Sequence, residues 1–173
     1  MDPLGRFVAS GSADQQYRTG SVKLWALPSG RLLRTLWEST PELVKDLAID
    51  ARGRFLVAGS WDQGPHRGTL KVWELPSGQL LHTFTPGPVD CVAIDGSGRF
   101  LAAGYQASER SQIWELGLWE LPSGKHLQTL VVSGNACELA FDASGRYLAT
   151  GGPGTSVQLW AGADLRASGR EGR

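Results

Sequence analysis

Asp50-Ala-Arg-Gly-Arg-Phe-Leu-Val-Ala-Gly-Ser-Trp-Asp62, followed after a six-residue loop by Thr69-Leu-Lys-Val-Trp73, is the stretch on which the reading of the fold turns. Asp bonds its own backbone at a turn, and Gly accepts positive φ there. The aliphatic and aromatic residues after that turn suit a pleated, buried surface. In Thr69–Trp73, Leu70 and Val72 share one face while Lys71 and Trp73 share the other. Both faces carry bulk, as expected of a sheet covered on both sides by other sheets. Pro76-Ser-Gly78 is a second turn signal, because Pro presets φ and Gly closes the turn. The unit therefore reads as four short strands, at residues 43–49, 54–59, 69–75 and 79–84.

The unit recurs. Asp2, Asp50, Asp95 and Asp142 each open a six-residue segment ending in Gly-Arg-Phe or Gly-Arg-Tyr, with spacings of 48, 45 and 47 residues. Trp25, Trp73, Trp119 and Trp160 follow Leu or Val at spacings of 48, 46 and 41. Leu-Pro-Ser-Gly stands at Leu27–Gly30, Leu75–Gly78 and Leu121–Gly124. Three landmarks recurring in fixed order define a repeat architecture.

These residues resemble the WD40 family, whose repeats carry four strands and a Trp ending the third. The resemblance covers residues 1–160 and implies an all-β fold of β-propeller blades, each a four-stranded antiparallel sheet. Arg6-Phe-Val-Ala-Ser-Gly-Ser-Ala-Asp14 and Arg54–Asp62 are similar to the family's second strand and the turn after it. The chain also departs from the pattern. Ala26, Glu74, Glu120 and Ala161 follow the Trp where the family has Asp, and the Gly-His pair before the first strand is absent. Only Asp14 and Asp62 keep the Asp after the second strand. The family's His–Asp–Ser–Trp hydrogen-bond network is therefore not expected. Quinoprotein-like and NHL-type propellers are the alternatives, although NHL-type blades lack this regular Trp.

Alignment places Met1 at the end of a first strand. The chain then reads as an incomplete ring of about 14 strands, with blades at about 1–36, 43–84, 89–130 and 136–160. The first blade lacks its innermost strand and the last its outermost. The tail, 161–173, is rich in Arg and Gly and reads as disordered or degenerate. Propellers close with about 4–8 blades. Three readings stay open: a fragment of a larger propeller protein, two chains completing one ring, or an open arc. Self-association through exposed blade faces is expected of the isolated chain.

Composition excludes several classes. The chain has 17 Lys+Arg against 17 Asp+Glu, without the basic excess of a nucleic-acid binder. No apolar run approaches the roughly 18 residues of a membrane helix, and the N-terminus lacks a signal-peptide pattern. Cys91 and Cys137 make no disulfide framework and no zinc motif. They read as small buried hydrophobes in a reducing, cytoplasmic setting. His66, His82 and His126 have no metal spacing. Asp2, Asp50, Asp95 and Asp142 read as turn caps, because equivalent turns of successive blades lie far apart. No nucleophile elbow, P-loop or dinucleotide fingerprint is present. No catalytic residue, cofactor or metal is expected.

The loops between second and third strands, residues 11–20, 59–68, 104–115 and 151–155, vary most. The first three exceed what a hairpin needs, and long loops are often functional. The resemblance implies that they share one face with the fourth-to-first-strand connections, and that this face binds partners. The candidates there are Tyr17, Arg18, Trp37, Trp61, Asp62, His66, Arg67, Tyr105, Glu109, Arg110 and Trp114. Tyr, Trp and Arg are the types enriched at interface hot spots. The functional expectation is a non-catalytic interaction scaffold for a protein or peptide. One alternative is a propeller domain of, or attached to, an enzyme such as a hydrolase, for which Lys45, Asp46, Asp90 and Glu138 on first strands are the candidates. The other is a structural arc completing another chain's ring.

Overall fold

A computed structural model describes residues 1–13, 19–62, 67–108, 111–132, 134, 138–152 and 157–161. It has fourteen strands in four antiparallel sheets and no helix among the described residues. Sheet 1 is β1(Phe7–Ala13), β2(Gly20–Ala26) and β3(Leu32–Thr40). Sheet 2 is β4(Glu42–Ile49), β5(Phe55–Asp62), β6(Leu70–Glu74) and β7(Leu80–Phe84). Sheet 3 is β8(Val89–Ile94), β9(Phe100–Ser108), β10(Ser111–Glu120) and β11(Lys125–Val132). Sheet 4 is β12(Glu138–Phe141), β13(Tyr147–Gly151) and β14(Gln158–Ala161). The architecture is an all-β, incomplete propeller. β14 takes in Ala161, which was expected to begin the tail.

Sheets 2 and 3 each bury two faces, because successive side chains of a strand point to opposite sides. The forward face of sheet 2 carries Phe55, Val57, Leu70 and Val72. It packs on the rear face of sheet 3, formed by Leu101, Ala103, Tyr105, Trp119 and Leu121. The same division recurs on either side. Val22 and Leu24 of sheet 1 meet Leu56, Ala58, Trp73 and Leu75 of sheet 2. Ala102, Leu116 and Leu118 of sheet 3 meet Leu148 of sheet 4, with Leu139, Phe141 and Trp160 packed alongside. A buried aliphatic or aromatic side chain contributes about 1.5–3 kcal/mol, so these three interlayers hold the sheets together.

The turn acids act as read from the sequence. Asp50 Oδ1 accepts the backbone N–H groups of Arg54 at 2.6 Å and Phe55 at 2.9 Å. Asp95 Oδ1 accepts from Arg99 at 2.7 Å and Phe100 at 2.6 Å, and Asp142 Oδ1 from Arg146 and Tyr147, both at 2.7 Å. Two of the turn arginines then tie neighbouring sheets. Arg6 Nη2 donates to the carbonyl of Arg52 at 2.7 Å, and Arg54 Nη2 donates to that of Ser97. A second set of ties joins the Leu-Pro-Ser-Gly turns. Arg34 Nε donates to Pro76 O at 3.3 Å, and His82 Nε2 donates to Pro122 O at 2.7 Å. Both sets lie at the same end of the sheets.

Two sequence expectations need correction. Residues 104–115 are not simply a loop: β9 and β10 extend through most of that span, with Trp114 opposite Gln106. Pairing satisfies backbone groups that a loop would leave to solvent. The Ser–Trp half of the network expected to be absent does form in sheet 1, where Trp25 Nε1 donates to Ser10 Oγ at 2.9 Å. Ala58 and Ala103 hold the Ser10 position in sheets 2 and 3 and have no hydroxyl to offer.

Candidate partner-binding face

Antiparallel strands place the connections after second strands and after fourth strands at one end of the sheets, opposite the Asp turns. Trp37, Trp61, Asp62, Arg67, Tyr105 and Trp114 all lie toward this end. Tyr17, Arg18, His66, Glu109 and Arg110 lie outside the described residues, as do Asp14 and Cys137.

The candidates differ in exposure. Arg67 is exposed, and Trp61, Asp62 and Trp114 are half-buried. Trp37 and Tyr105 are buried, at 5% and 6% exposure. Burial pushes the Tyr105 phenol above its ordinary range. The Trp37 indole lies in the interlayer, its centroid 6.2 Å from that of Trp73. Its Nε1 finds no hydrogen-bond partner among the described residues. Trp61 is a better surface candidate: the Lys45 ammonium lies 5.1 Å from its ring centroid, which holds the ring by a cation–π contact.

A polar network that sequence reasoning missed stands at the same end. The Glu42 carboxylate accepts from Thr69 Oγ1 at 2.8 Å and from the Ser60 hydroxyl. Thr69 N donates to Ser60 Oγ at 2.9 Å. Glu42, Ser60 and Thr69 come from three neighbouring strands of sheet 2 or their ends, so the contact ties the open ends of those strands. Lys71 Nζ lies 3.9 Å from the Trp37 centroid. Burial lowers the Lys71 pKa, and the Glu42 charge partly opposes that shift. Glu42 lies 18 positions from Ser60 and 27 from Thr69, so no local motif announces them. The only signal available was a polar residue at each strand's loop end.

Beside this network opens a cavity of about 310 Å³. Glu42, Arg67 and Thr69 line one side, and Thr85, Pro86 and Ala107 line the other. It therefore sits between sheets 2 and 3. Gly68 makes the close approach there, because a Cβ on it would meet Pro88 Cα at 2.7 Å. The cavity presents an acid, a guanidinium and hydroxyl and backbone groups around a small apolar surface. Such a mixture can orient an extended chain through polar contacts.

The first-strand residues form a different cluster. Asp46 Oδ2 accepts the Val92 N–H of the next sheet at 2.8 Å, and Oδ1 accepts its neighbour Leu47 N–H at 2.7 Å. Lys45 Nζ stands 4.0 Å from Asp90 Oδ1. Burial raises the pKa of both aspartates; Glu138 adds to the rise at Asp46, and Lys45 counters it at Asp90. Asp46 is thus engaged in joining sheets 2 and 3. No group of three His, Cys, Asp or Glu able to hold a metal occurs among the described residues. The Cys91 side chain is buried.

Residues 30–74 match the family model described as WD40: WD domain, G-beta repeat. The match begins before β3 and ends with β6, so it takes the outer strand of sheet 1 and the inner three strands of sheet 2. The chain carries a WD40 repeat there, and its four antiparallel sheets of three or four strands fit an all-β, incomplete propeller. No curated protein matches the chain. No helix of the described residues is long and apolar enough to cross a membrane.

Proposed function

We propose that this partial WD40-like propeller is a non-catalytic scaffold that binds a protein or peptide segment at the open end of sheets 2 and 3. The observation that carries the reading is the cavity between Glu42, Arg67 and the Pro86 connection, with the half-buried Trp61 on the same end. An Arg and a Trp beside a polar recess are the combination enriched at interface hot spots. An extended peptide gains affinity from backbone hydrogen bonds and specificity from pockets for its side chains. Membrane and nucleic-acid partners form no part of the proposal, and a cytoplasmic setting is its assumed context.

The test is selection from a random peptide display library on the intact chain. Sequences with a shared pattern should be enriched. The double substitution Trp61→Ala with Arg67→Glu should abolish their capture by at least tenfold while leaving the circular dichroism spectrum unchanged. Trp37 and Tyr105 are left intact because they belong to the core. Failure to enrich any pattern, or undiminished capture by the double variant, overturns the reading.

A further inference from the structure

The polar groups around the recess between sheets 2 and 3 divide into those already bonded and those left over. Glu42 is bonded. Its Oε1 takes the Thr69 hydroxyl at 2.8 Å and its Oε2 takes the Ser60 hydroxyl. Ser60 is fully buried and Thr69 is 7% exposed, so these donors stand within the fold and fix the carboxylate. Lys71 stands close enough to feel its charge.

The donors are left over. The exposed Arg67 guanidinium makes no hydrogen bond or ion pair among the described residues. On the opposite wall, the Thr85 hydroxyl and the Gly87 N–H are likewise without partners among the described residues. A guanidinium carries five N–H donors in a fork that matches a carboxylate. The recess is thus rich in unspent donors, while its own carboxylate is engaged.

The walls are fixed before any partner arrives. A Cβ on Gly68 would collide with the carbonyl oxygens of Ser60 and Gly87, so the segment carrying Arg67 is pressed between β5 and the connection to β8. Gln106 N donates to Pro88 O at 3.1 Å, which ties the other wall to β9. Donors held in place lose little freedom on binding.

Resting on the reading of this end as a peptide-binding face, we propose that the recess takes a carboxylate of the bound segment, the side chain of an Asp or Glu. Arg67 pairs with it, and the Thr85 hydroxyl and Gly87 N–H donate from the other side. Glu42 decides between anions. Its charge belongs to the same lining, so a dianionic phosphate meets more repulsion there than a singly charged carboxylate. Pro86 and Ala107 decide between sources of the carboxylate. The methylene stem of an acidic side chain covers these apolar residues while its head reaches Arg67, and a chain-terminal carboxylate has no such stem.

The experiment starts from a random peptide library displayed by fusion through the peptide's C-terminus, so that no free terminal carboxylate is present. The pattern enriched on the intact chain should contain one Asp or Glu. In a synthetic, C-terminally amidated peptide of that pattern, exchange of the acid for its amide should weaken binding by at least about tenfold, read by fluorescence anisotropy. On Arg67→Gln the same exchange should cost nothing further, because both changes remove one contact. Selection repeated on Arg67→Glu should replace the acid by Lys or Arg. The free-acid form of the peptide, and a form with phosphoserine in place of the acid, should bind no more tightly than the amidated parent peptide. A pattern without an acid, an exchange that costs as much on Arg67→Gln as on the parent chain, retention of the acid on Arg67→Glu, or tighter binding of the free-acid or phosphoserine form overturns this inference and leaves the peptide-binding reading standing. Failure to enrich any pattern overturns both. Should the Arg67 variants unfold, the exchange on the parent chain still decides, and undiminished binding there overturns the inference.

Discussion

The ammonium group of Lys71 on β6 lies 3.9 Å from the indole centroid of Trp37 on β3, so a charge of sheet 2 caps an aromatic of sheet 1. The contact explains how a lysine stands in a sheet with bulk on both faces: its stem lies along apolar surface while its charge meets a ring. Trp37→Ala should cost about 3–5 kcal/mol, the range for a buried aromatic. Lys71→Met, which keeps the stem and loses the charge, should cost about 1 kcal/mol or less. Urea denaturation of the two variants would rank them, and equal losses would show that the contact with the Lys71 charge, rather than burial, is what Trp37 contributes.

Gly59 and Gly151 hold one repeat position and should respond oppositely to alanine. A Cβ on Gly59 would stand 2.5 Å from Val89 Cγ1 of the next sheet, whereas the nearest atom to one on Gly151 is 3.8 Å away. Gly59→Ala should destabilise by about 1–3 kcal/mol through overpacking. Gly151→Ala should be neutral or stabilise by about 0.5 kcal/mol, because glycine weakens a strand interior. Thermal unfolding in parallel would read the contrast.

Asp46 and Asp142 should give opposite pH dependences. The Asp142 carboxyl is held down to about 2, first by the Ser144 hydroxyl and then by the Tyr147 N–H. Its folded pKa lies below the unfolded value of 3.8, so its contribution is present above that value and lost as pH falls toward about 2. Burial raises the Asp46 pKa, so the folded state there binds the proton more tightly than the unfolded. Its stability contribution therefore falls as pH rises above 3.8 through the raised pKa. Asp46→Asn keeps an acceptor for Val92 N–H and removes the ionisation. Urea melts between about pH 4 and 7 should show a flatter profile for this variant, and an unchanged slope would assign the dependence elsewhere.

Asp50→Ala should cost on the order of 2–3 kcal/mol, because two buried-end backbone N–H groups lose their acceptor together. Arg54→Ala should cost about 1 kcal/mol or less, since its guanidinium is substantially exposed and solvent screens the pair. Chemical denaturation distinguishes turn closure from the tie to Ser97: similar losses in the two variants would place the weight on the tie between sheets.

Much of the architecture was legible along the chain because its determinants are local. An Asp closing its own turn, a Pro-Ser-Gly reversal and a two-residue alternation act within one hairpin, and three or four copies of each make the readings check one another. The long-loop residues were harder. Tyr105 looked like a surface aromatic because it follows a glycine at a strand's expected end. The strand continues past it instead, and alternation turns its ring into the interlayer beside Trp119. Trp37 deceived for the same reason, at the end of a strand that runs on to Thr40.

The sequence by itself determined the repeat, the strands and their turns, because those depend on neighbouring residues and on backbone hydrogen bonds between adjacent segments. Only the tertiary structure decided which polar groups meet and which faces stay open. Glu42 reaches Thr69, and Asp46 reaches Val92, only because sheets and strands distant in the chain lie side by side. Leu24 and Leu159 occupy one repeat position, yet one is sealed and the other exposed. Burial belongs to what stands opposite a side chain, and no stretch of sequence contains its own opposite face.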